Sequence, residues 1–192
     1  MSEVQPNWLL SGGIGSGKSA VRTVFEDHGL STIDADSVGH EVLTPGGAGV
    51  AAVAEAWPEV VDHDGLDRKR LGAIVFADPT ELSKLEGITH PLIFSLIEER
   101  LSGLTPPVVI EIPLLLQPFS GTWRRIVVDA TDDIRLERAV ARGLDRDQAL
   151  QRMASQPSRQ QWLAAADLVV HNQESIEDLA LAAAGIVELI EG

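Results

Sequence analysis

The sequence predicts an α/β protein with a parallel β-sheet and a phosphate-binding loop. The apolar stretch Trp8–Leu10 runs directly into a glycine-rich segment, Gly12–Ser19, which matches the pattern G-x-x-x-x-G-K-[ST]. A helical stretch follows and ends near Gly29, a residue type that commonly terminates helices, before a second short strand at 30–33. Strand, loop, helix and strand within about 30 residues form a βαβ unit, in which the two strands are parallel.

Length and composition indicate one globular domain with a strongly acidic balance. The chain has 192 residues, of which 44% are hydrophobic and 23% charged, and this is typical of a protein that buries a single core. Acidic residues outnumber basic residues by 29 to 15, which gives a formal net charge of −14. Nucleic-acid backbones and anionic membranes both attract basic surfaces, so the charge argues against either as a partner.

Further compositional features restrict the chemistry and the location. Cysteine is absent, which excludes disulfides, thiolate metal sites and cysteine nucleophiles. The five histidines show neither H-x-x-x-H nor H-E-x-x-H spacing, so a zinc site is not expected. The segment 1–8 has no Lys or Arg, unlike a signal peptide, and no apolar run approaches the roughly 20 residues of a membrane span. We therefore expect a cytoplasmic protein.

Three more strands and two helical excursions complete the predicted organisation. The strands are predicted at 108–112, 125–129 and 167–170, which makes a five-stranded parallel sheet. Roughly 70 residues of mostly helical pattern separate the second strand from the third, and one helix is predicted to begin at Pro91 and end at Gly103. A second excursion covers 135–163, and Ser175 is predicted to cap a final helix.

The Gly12–Ser19 loop carries the most specific chemical information. Glycines allow backbone N–H groups to curl around phosphate oxygens, and the following helix adds the positive end of its dipole. Lys18 would reach the outer phosphates, and the Ser19 hydroxyl would bind Mg²⁺. The loop residues predicted to bind the nucleotide are Gly13, Ile14, Gly15, Ser16, Gly17, Lys18 and Ser19. The motif therefore predicts a protein that binds a nucleoside triphosphate with Mg²⁺.

The loop alone does not decide the fate of the γ-phosphate. A GTPase would carry an N-K-x-D guanine motif, and the sequence has none. Asp62–Gly65 matches the D-x-x-G switch pattern, but no buried strand precedes it, so we interpret this match as a coincidence. Two interpretations stay open at this point: a small-molecule kinase, or a protein that binds ATP as a structural or regulatory ligand.

Two carboxylates, Asp34 and Asp36, follow the second strand at the sheet edge where ligands of open α/β sheets bind. Because side chains alternate along a strand, only one of them is expected to face the nucleotide. A carboxylate beside the γ-phosphate can orient an acceptor hydroxyl and take its proton. We assign this role to Asp36, with the N-cap of the following helix as the alternative, and favour a structural role for Asp34.

Arginine is concentrated in the second excursion. Half of the twelve arginines lie in a segment with a local charge of +3, namely Arg135, Arg138, Arg142, Arg146, Arg152 and Arg159. Arg138 and Arg142 are four residues apart and therefore share a helical face. Some of the six, Arg135 among them, are expected to be solvated and to form i,i+4 pairs. We favour a mobile lid whose arginines stabilise the transferring phosphoryl group and exclude water, since a kinase must prevent ATP hydrolysis.

These residues, together with several further short motifs, resemble those of a known family, the dephospho-CoA kinases. The match begins with the Gly12–Ser19 loop and runs in order through nearly the whole chain. The other shared elements are Ile33-Asp34-Ala35-Asp36, Pro45-Gly46, Asp64-Gly65-Leu66-Asp67-Arg68, Val75-Phe76, Thr89-His90-Pro91, Ile112-Pro113-Leu114-Leu115, Arg152-Met153 with Gln156, and Ala166-Asp167 before Val170 and Asn172. Many kinases share the phosphate loop, whereas the I-D-A-D, H-P and P-L-L elements at these separations are much more specific.

The resemblance implies a reaction and a three-part fold. The reaction transfers the ATP γ-phosphoryl group to the ribose 3′-hydroxyl of dephospho-CoA and gives coenzyme A. The fold is a single kinase domain over 1–192, with a three-layer P-loop core, a helical acceptor-binding insertion and a helical lid. The core is expected at about 7–36, 106–134 and 164–192, the insertion at about 37–105 and the lid at about 135–163. A nucleoside or nucleotide kinase of the same fold is the alternative enzyme.

The resemblance also implies roles for individual residues. Asp36 is the candidate base, and Lys18 together with Arg142 would stabilise the phosphoryl group. Asn172 falls where a loop of the family approaches the adenine. The acceptor would be bound by the segment 37–116 and by Asp36 itself. The residues implied for this binding include Asp36, His90, Pro91 and Leu114.

Overall fold

The computed structural model describes residues 5–63 and 65–191. Its first elements are β1 (Asn7–Ser11), α1 (Lys18–Asp27), β2 (Ser31–Asp34), α2 (Ala35–Val42), α3 (Val50–Ala56), a 3₁₀ turn (Pro58–Val60), β3 (Val61–Asp62), β4 (Gly65–Leu66), α4 (Arg68–Ala77) and α5 (Pro79–Leu101). The later elements are β5 (Val108–Glu111), β6 (Trp123–Asp129), α6 (Asp132–Ala141), α7 (Arg146–Ser155), α8 (Arg159–Ala164), β7 (Leu168–His171) and α9 (Ile176–Glu191). Two parts of the chain lie outside the described residues up to 191, namely residues 1–4 and Asp64. Asp64 belongs to the D-x-x-G match and also to the family resemblance. None of the described helices has the combination of length and apolar character that a membrane crossing requires.

Five strands form the predicted parallel sheet, in the order β2-β5-β1-β6-β7. Strand β1 is central, and its Leu9 lies between Ile110 of β5 and Arg125 of β6. Because all pairings are parallel, the carboxyl ends of the strands share one edge, and β1 continues there into the Gly12–Ser19 loop. The fold class predicted from the βαβ unit is therefore confirmed.

Helices α1 and α9 cover one face of this sheet. Val21 and Phe25 of α1 are fully buried in the same cluster as Trp8 and Leu10 of β1. The buried residues of α9 recur at helical spacing and are Leu179, Ala183, Ile186, Val187 and Ile190. The predicted cap of α9 is confirmed, since the Ser175 hydroxyl accepts a hydrogen bond from the N–H of Asp178 at 3.1 Å.

Helix α1 ends where the sequence predicts. Its last residue is Asp27, and Gly29 follows with a φ of 90°, in the left-handed region that glycine adopts at low cost. The N–H of Gly29 closes the helix by donating to the carbonyl of Glu26 at 2.9 Å. This sharp reversal allows β2 to begin at Ser31, only two residues later.

The chain divides into two compact units. The first runs up to Asp34, resumes at Leu104 and contains the parallel sheet. The second, Ala35–Gly103, contains α2 to α5 and the short antiparallel pair of β3 and β4. It has a core of its own, formed by Val53, Trp57, Val60, Leu71 and Val75. The buried Trp57 indole N–H is satisfied by the Glu81 carboxylate at 2.6 Å.

Helix α5 begins earlier than predicted. The sequence predicts a helix that begins at Pro91, but α5 already begins at Pro79 and contains Pro91 in its interior. Asp78 is the N-cap and accepts a hydrogen bond from the N–H of Thr80 at 2.8 Å, while Pro79 occupies the first turn, where its missing N–H costs nothing. An internal proline removes one helical hydrogen bond, and the 23-residue helix continues despite this loss.

The residues after β2 are helical rather than extended. Strand β2 ends at Asp34 and α2 begins at Ala35, so Asp36 lies in the first turn of a helix. Strand alternation therefore does not set the direction of its side chain, and the helix starts before Asp36 instead of being capped by it. Asp34 lies 3.6 Å from the Arg22 guanidinium as part of a charge pair.

Candidate active site

The phosphate loop joins the end of β1 to the start of α1. Gly15 and Gly17 have φ values of 77° and 100°, which side chains with a Cβ rarely adopt. The Lys18 ammonium lies against the loop and donates to the carbonyl of Gly12 at 3.0 Å. Within the described residues, the N–H groups of Gly15, Gly17 and Ser19 donate to no protein acceptor. These donors and the helix N-terminus make the loop suited to bind anionic oxygens.

The loop glycines also permit close packing by other elements. A Cβ on Gly13 would lie 1.9 Å from Nη2 of Arg135, and one on Gly15 would lie 2.2 Å from the carbonyl oxygen of the same arginine. A Cβ on Gly17 would lie 2.2 Å from Nδ2 of Asn172. Helix α6 and the segment after β7 therefore pack directly on the phosphate loop, and the glycines are required for this approach as well as for phosphate access.

Replacing Gly15 by alanine is expected to lower the free energy of unfolding by about 3 kcal/mol, through backbone strain and overpacking together. Gly29→Ala is the matched control, because Gly29 has a similar φ of 90° but open space around the new Cβ. We expect this control to cost only about 1 kcal/mol. Urea unfolding measures both values, and equal losses would contradict the close approach of α6.

A buried carboxylate that was not predicted from the sequence lies beside Ser19. Glu111, the last residue of β5, accepts hydrogen bonds from the Ser19 hydroxyl at 3.0 Å and from Nε of Arg22 at 2.8 Å. Burial acts to lower the pKa of the Arg22 guanidinium, but its hydrogen bonds to Glu111 and Glu26 outweigh this and raise that pKa. The signal in the sequence was an acidic residue that ends a buried strand at the loop edge of the sheet.

Ser19 and Glu111 suit a divalent cation that the substrate also binds. A hydroxyl and a carboxylate are oxygen ligands of the kind that Mg²⁺ prefers. In the described part of the chain, no group of three or more His, Cys, Asp or Glu residues could hold a metal ion. This is compatible with Mg²⁺, which is usually bound through one or two carboxylates together with substrate phosphates.

Arg135 is buried, and the expectation that it is solvated was wrong. Only 4% of the residue is exposed, and its Nε donates to the carbonyl of Ile14 at 3.0 Å while Nη1 pairs with Asp132 at 2.8 Å. The side-chain oxygen of Gln156 accepts from the N–H of Ile14 at 2.8 Å. Helical spacing shows which arginines share a face, but it does not show that this face packs on glycines that leave room for a guanidinium.

A cleft of about 210 Å³ beside the loop contains Asn172 and two arginines. Asn172 is 5% exposed, donates to the carbonyl of Ser16 at 2.7 Å and accepts at Oδ1 from Arg138 at 3.1 Å. Its amide group therefore holds the loop and the guanidinium in place. The residues that line the cleft are Gly17, Ala20, Arg138, Arg142, Asn172, Ile176 and Leu179.

The other predicted site residues are distributed over both units. Arg142 is an exposed residue at the C-cap of α6, and Leu114 lies in the loop after β5. Both belong to the unit that contains the phosphate loop. Asp36 on α2 is exposed, His90 on α5 is half-buried and Pro91 is exposed, and these three belong to the second unit.

The second unit contains a cavity of about 450 Å³, formed by residues 41–48 and by the 92–99 part of α5. Its lining includes the carboxylates of Glu41 and Glu99, and Glu41 also forms an ion pair with Arg100. Neither His90 nor Pro91 contributes to its wall.

Asp129, the last residue of β6, anchors the C-terminal end of the arginine-rich segment. It is 3% exposed, and its two carboxylate oxygens accept hydrogen bonds from Nε and Nη2 of Arg159, each at 2.7 Å. These hydrogen bonds lower the pKa of the Asp129 carboxyl, although burial opposes the shift, and they raise the pKa of Arg159. His171 Nδ1 lies 3.3 Å from the same carboxylate.

Asp129→Asn is expected to lower the free energy of unfolding at neutral pH by about 2 kcal/mol, because two charged hydrogen bonds are lost. The folded-state pKa is lowered, so the stabilisation is fully present above the ordinary aspartate pKa and is lost as pH falls through the folded value. Urea unfolding from about pH 6 downward checks this, and the difference in the free energy of unfolding between the two proteins should begin to narrow as the pH falls below about 4. The exposed Asp27→Asn is the control, and a pH-independent gap for Asp129→Asn would contradict the ion pair.

The sheet order, the phosphate loop after β1 and the arginine-bearing helix α6 together define a P-loop kinase. The profile of the dephospho-CoA kinase family matches residues 9–178. The chain belongs to the dephospho-CoA kinase family.

Individual relatives agree with this assignment. A dephospho-CoA kinase from Frankia casuarinae is 48% identical over 176 residues, which cover 88% of this chain and 77% of the relative. A crystal structure of a Thermus thermophilus protein superposes with a TM-score of 0.82 at 32% identity, over 98% of this chain and all of that one. A dephospho-CoA kinase structure from Campylobacter jejuni gives a TM-score of 0.69 at 25% identity, with coverage of 98% and 100%.

Proposed function

We propose that this protein transfers the γ-phosphoryl group of ATP to the ribose 3′-hydroxyl of dephospho-CoA and so forms coenzyme A. Membership of the family over residues 9–178 supports the reaction and its acceptor. The single observation that carries the chemistry is the grouping of Lys18, the Ser19–Glu111 pair and the α6 arginines around one phosphate loop. Such a grouping combines anion-binding amides, positive charge and oxygen ligands for a metal.

We place the adenine of ATP in the cleft beside Asn172. The planar guanidinium of Arg138 is held there by Asn172, and guanidinium groups stack well on aromatic rings. Leu179 and Ala20 supply apolar contacts on the cleft wall. From this position the phosphates extend along the loop from Gly13 to Ser19, where the backbone donors lie.

Ser19, supported by Glu111, is the residue we propose to hold Mg²⁺ together with the nucleotide phosphates. When bound, the ion neutralises charge on the β- and γ-phosphates. Lys18 adds a second positive charge at the outer phosphates, and Arg142, carried on the arginine-rich segment, adds a third as the site closes. Arg135 and Gln156 keep the base of that segment on the loop through Ile14.

The acceptor hydroxyl is proposed to lose its proton to Asp36 as its oxygen attacks the γ-phosphorus. The bond from the γ-phosphorus to the bridging oxygen breaks in the same step, and ADP is the leaving group. Asp36 orients the hydroxyl as well as accepting the proton, while Lys18 and Arg142 stabilise the charge on the transferring group. His90, Pro91 and Leu114 are proposed to bind the rest of the acceptor.

A coupled ADP-release assay with Mg²⁺-ATP tests this proposal. The acceptors to compare are dephospho-CoA, nucleoside monophosphates, nucleosides and no acceptor. We expect ADP release that depends strictly on dephospho-CoA, with coenzyme A recovered as the product. Turnover only with another acceptor would overturn the substrate, and ATP binding without any turnover would favour a regulatory ATP-binding protein.

A further inference from the structure

Arg125 is a buried cation in strand β6. Only 7% of the residue is exposed, and the strand continues into the buried residues Ile126, Val127 and Val128. Strands of parallel sheets are usually apolar, and a buried guanidinium is unfavourable unless its donors are satisfied. Burial lowers the pKa of Arg125 from its ordinary value, yet an arginine side chain stays protonated in proteins. The hydrogen-bond acceptors around the Arg125 guanidinium therefore explain how a charged side chain is accommodated in this buried strand.

The acceptors belong mainly to one loop. Nη1 donates to the carbonyl of Leu114 at 2.8 Å, and Nη2 donates to the carbonyls of Leu115 at 3.0 Å and Leu116 at 3.2 Å. Nη1 also donates to the Ser11 hydroxyl. Over the described residues, no carboxylate accepts a hydrogen bond from this guanidinium, and Asp167 bonds instead to the backbone N–H of Arg125.

The loop that receives these bonds has no regular secondary structure, since residues 112–118 form neither helix nor strand. The start of this loop is held to β1 by the N–H of Ile112, which donates to the carbonyl of Leu10 at 3.0 Å. Ser11 immediately precedes the phosphate loop. One guanidinium therefore links the strand end that leads into the phosphate loop to three successive carbonyls of the neighbouring loop.

We propose that Arg125 is a positioning residue for the phosphoryl acceptor. It fixes the Leu114–Leu116 loop, on which the acceptor is proposed to lie, against the end of β1. This inference rests on the proposed function, because only that function gives Leu114 a substrate to contact. Arg125 acts through the main chain and touches no substrate itself. A planar guanidinium can serve three diverging carbonyls, whereas a lysine ammonium cannot do so in the same geometry.

The test compares Arg125→Met and Arg125→Lys with the matched control Arg124→Met. Arg124 is the adjacent residue of β6, with a side chain that is 49% exposed and 3.6 Å from Asp167. We expect Arg125→Met to raise the KM for dephospho-CoA about tenfold or more, since small misplacements of a substrate-binding group are costly, with the KM for ATP within about twofold. Arg125→Lys should be intermediate, and Arg124→Met should leave both KM values unchanged. If Arg125→Met does not fold, Arg125→Lys carries the comparison.

Amide hydrogen exchange gives a measurement that does not depend on turnover. We expect exchange at the amides of residues 114–117, which lie between Pro113 and Pro118, to be faster in Arg125→Lys than in Arg124→Met, with the phosphate loop and α1 unchanged. Unaltered exchange there would overturn the inference, and so would a lower melting temperature with an unchanged KM for dephospho-CoA. If the unmodified enzyme does not use dephospho-CoA, the proposed function fails, and the exchange result alone decides whether Arg125 holds the loop.

Discussion

Lys18→Ala is expected to lower kcat/KM for ATP by about a thousandfold and to weaken ATP binding. The Lys18 ammonium lies against the loop at the Gly12 carbonyl, 3.0 Å away, where it can reach the outer phosphates of a bound nucleotide. Negative charge shifts between oxygen atoms during phosphoryl transfer, so this positive charge stabilises the transition state more than it stabilises bound ATP. Its removal therefore slows the reaction as well as weakening binding. Coupled ADP release gives the rate, and calorimetric titration with ATP gives the affinity.

Lys69→Ala is the matched control for this variant. Lys69 is an exposed residue in the first turn of α4, and the same change there removes a lysine without touching the loop. The control should keep both the rate and the affinity. If Lys18→Ala retained more than about a tenth of the activity, the role assigned to its charge would be wrong.

Asp36→Asn is expected to reduce kcat by about a thousandfold while ATP affinity stays unchanged. Asparagine keeps the size of the side chain and its place in the first turn of α2, but it cannot accept the proton of the acceptor hydroxyl. The separation of rate from nucleotide binding distinguishes a general base from a residue that supports the phosphate loop. Steady-state turnover and ATP titration of the same preparation measure the two quantities.

The control for Asp36→Asn applies the identical substitution at Asp27, an exposed residue at the end of α1. Its activity should equal that of the unmodified enzyme. Full turnover in Asp36→Asn would remove Asp36 as the base. A parallel loss of turnover and ATP affinity would instead assign it to nucleotide binding.

Much of the fold could be predicted because its signals are local. The apolar run before Gly12, the glycine after α1 and the short apolar strands each act through neighbouring residues, and the five parallel strands follow from them. The error at α5 has a local cause as well. The Asp78-Pro79 pair and the H-P pair both resemble a helix start, and only the former is one.

The candidate site was predictable only in part. The phosphate loop is a contiguous motif, so its residues could be named from the sequence. Glu111 and Arg135 belong to the same site through tertiary contacts, with Ser19 at 3.0 Å and with Ile14 at 3.0 Å. Sequence separations of 92 and 121 residues leave no local pattern that would connect them.

The sequence by itself therefore determined the five parallel strands, the phosphate-binding loop and the family to which the chain belongs. These depend on residue types and spacings that act over a few turns or strands. Only the tertiary structure decided which charged side chains are buried and what satisfies them. The sequence does not mark Arg125 or Arg135 as hydrogen-bonded in the interior, but close packing places the carbonyl oxygens of Leu114 and Leu115 around Arg125 and that of Ile14 against Arg135. Burial and long-range hydrogen bonding are properties of the assembled sheet, and that is the physical reason the sequence did not reveal them.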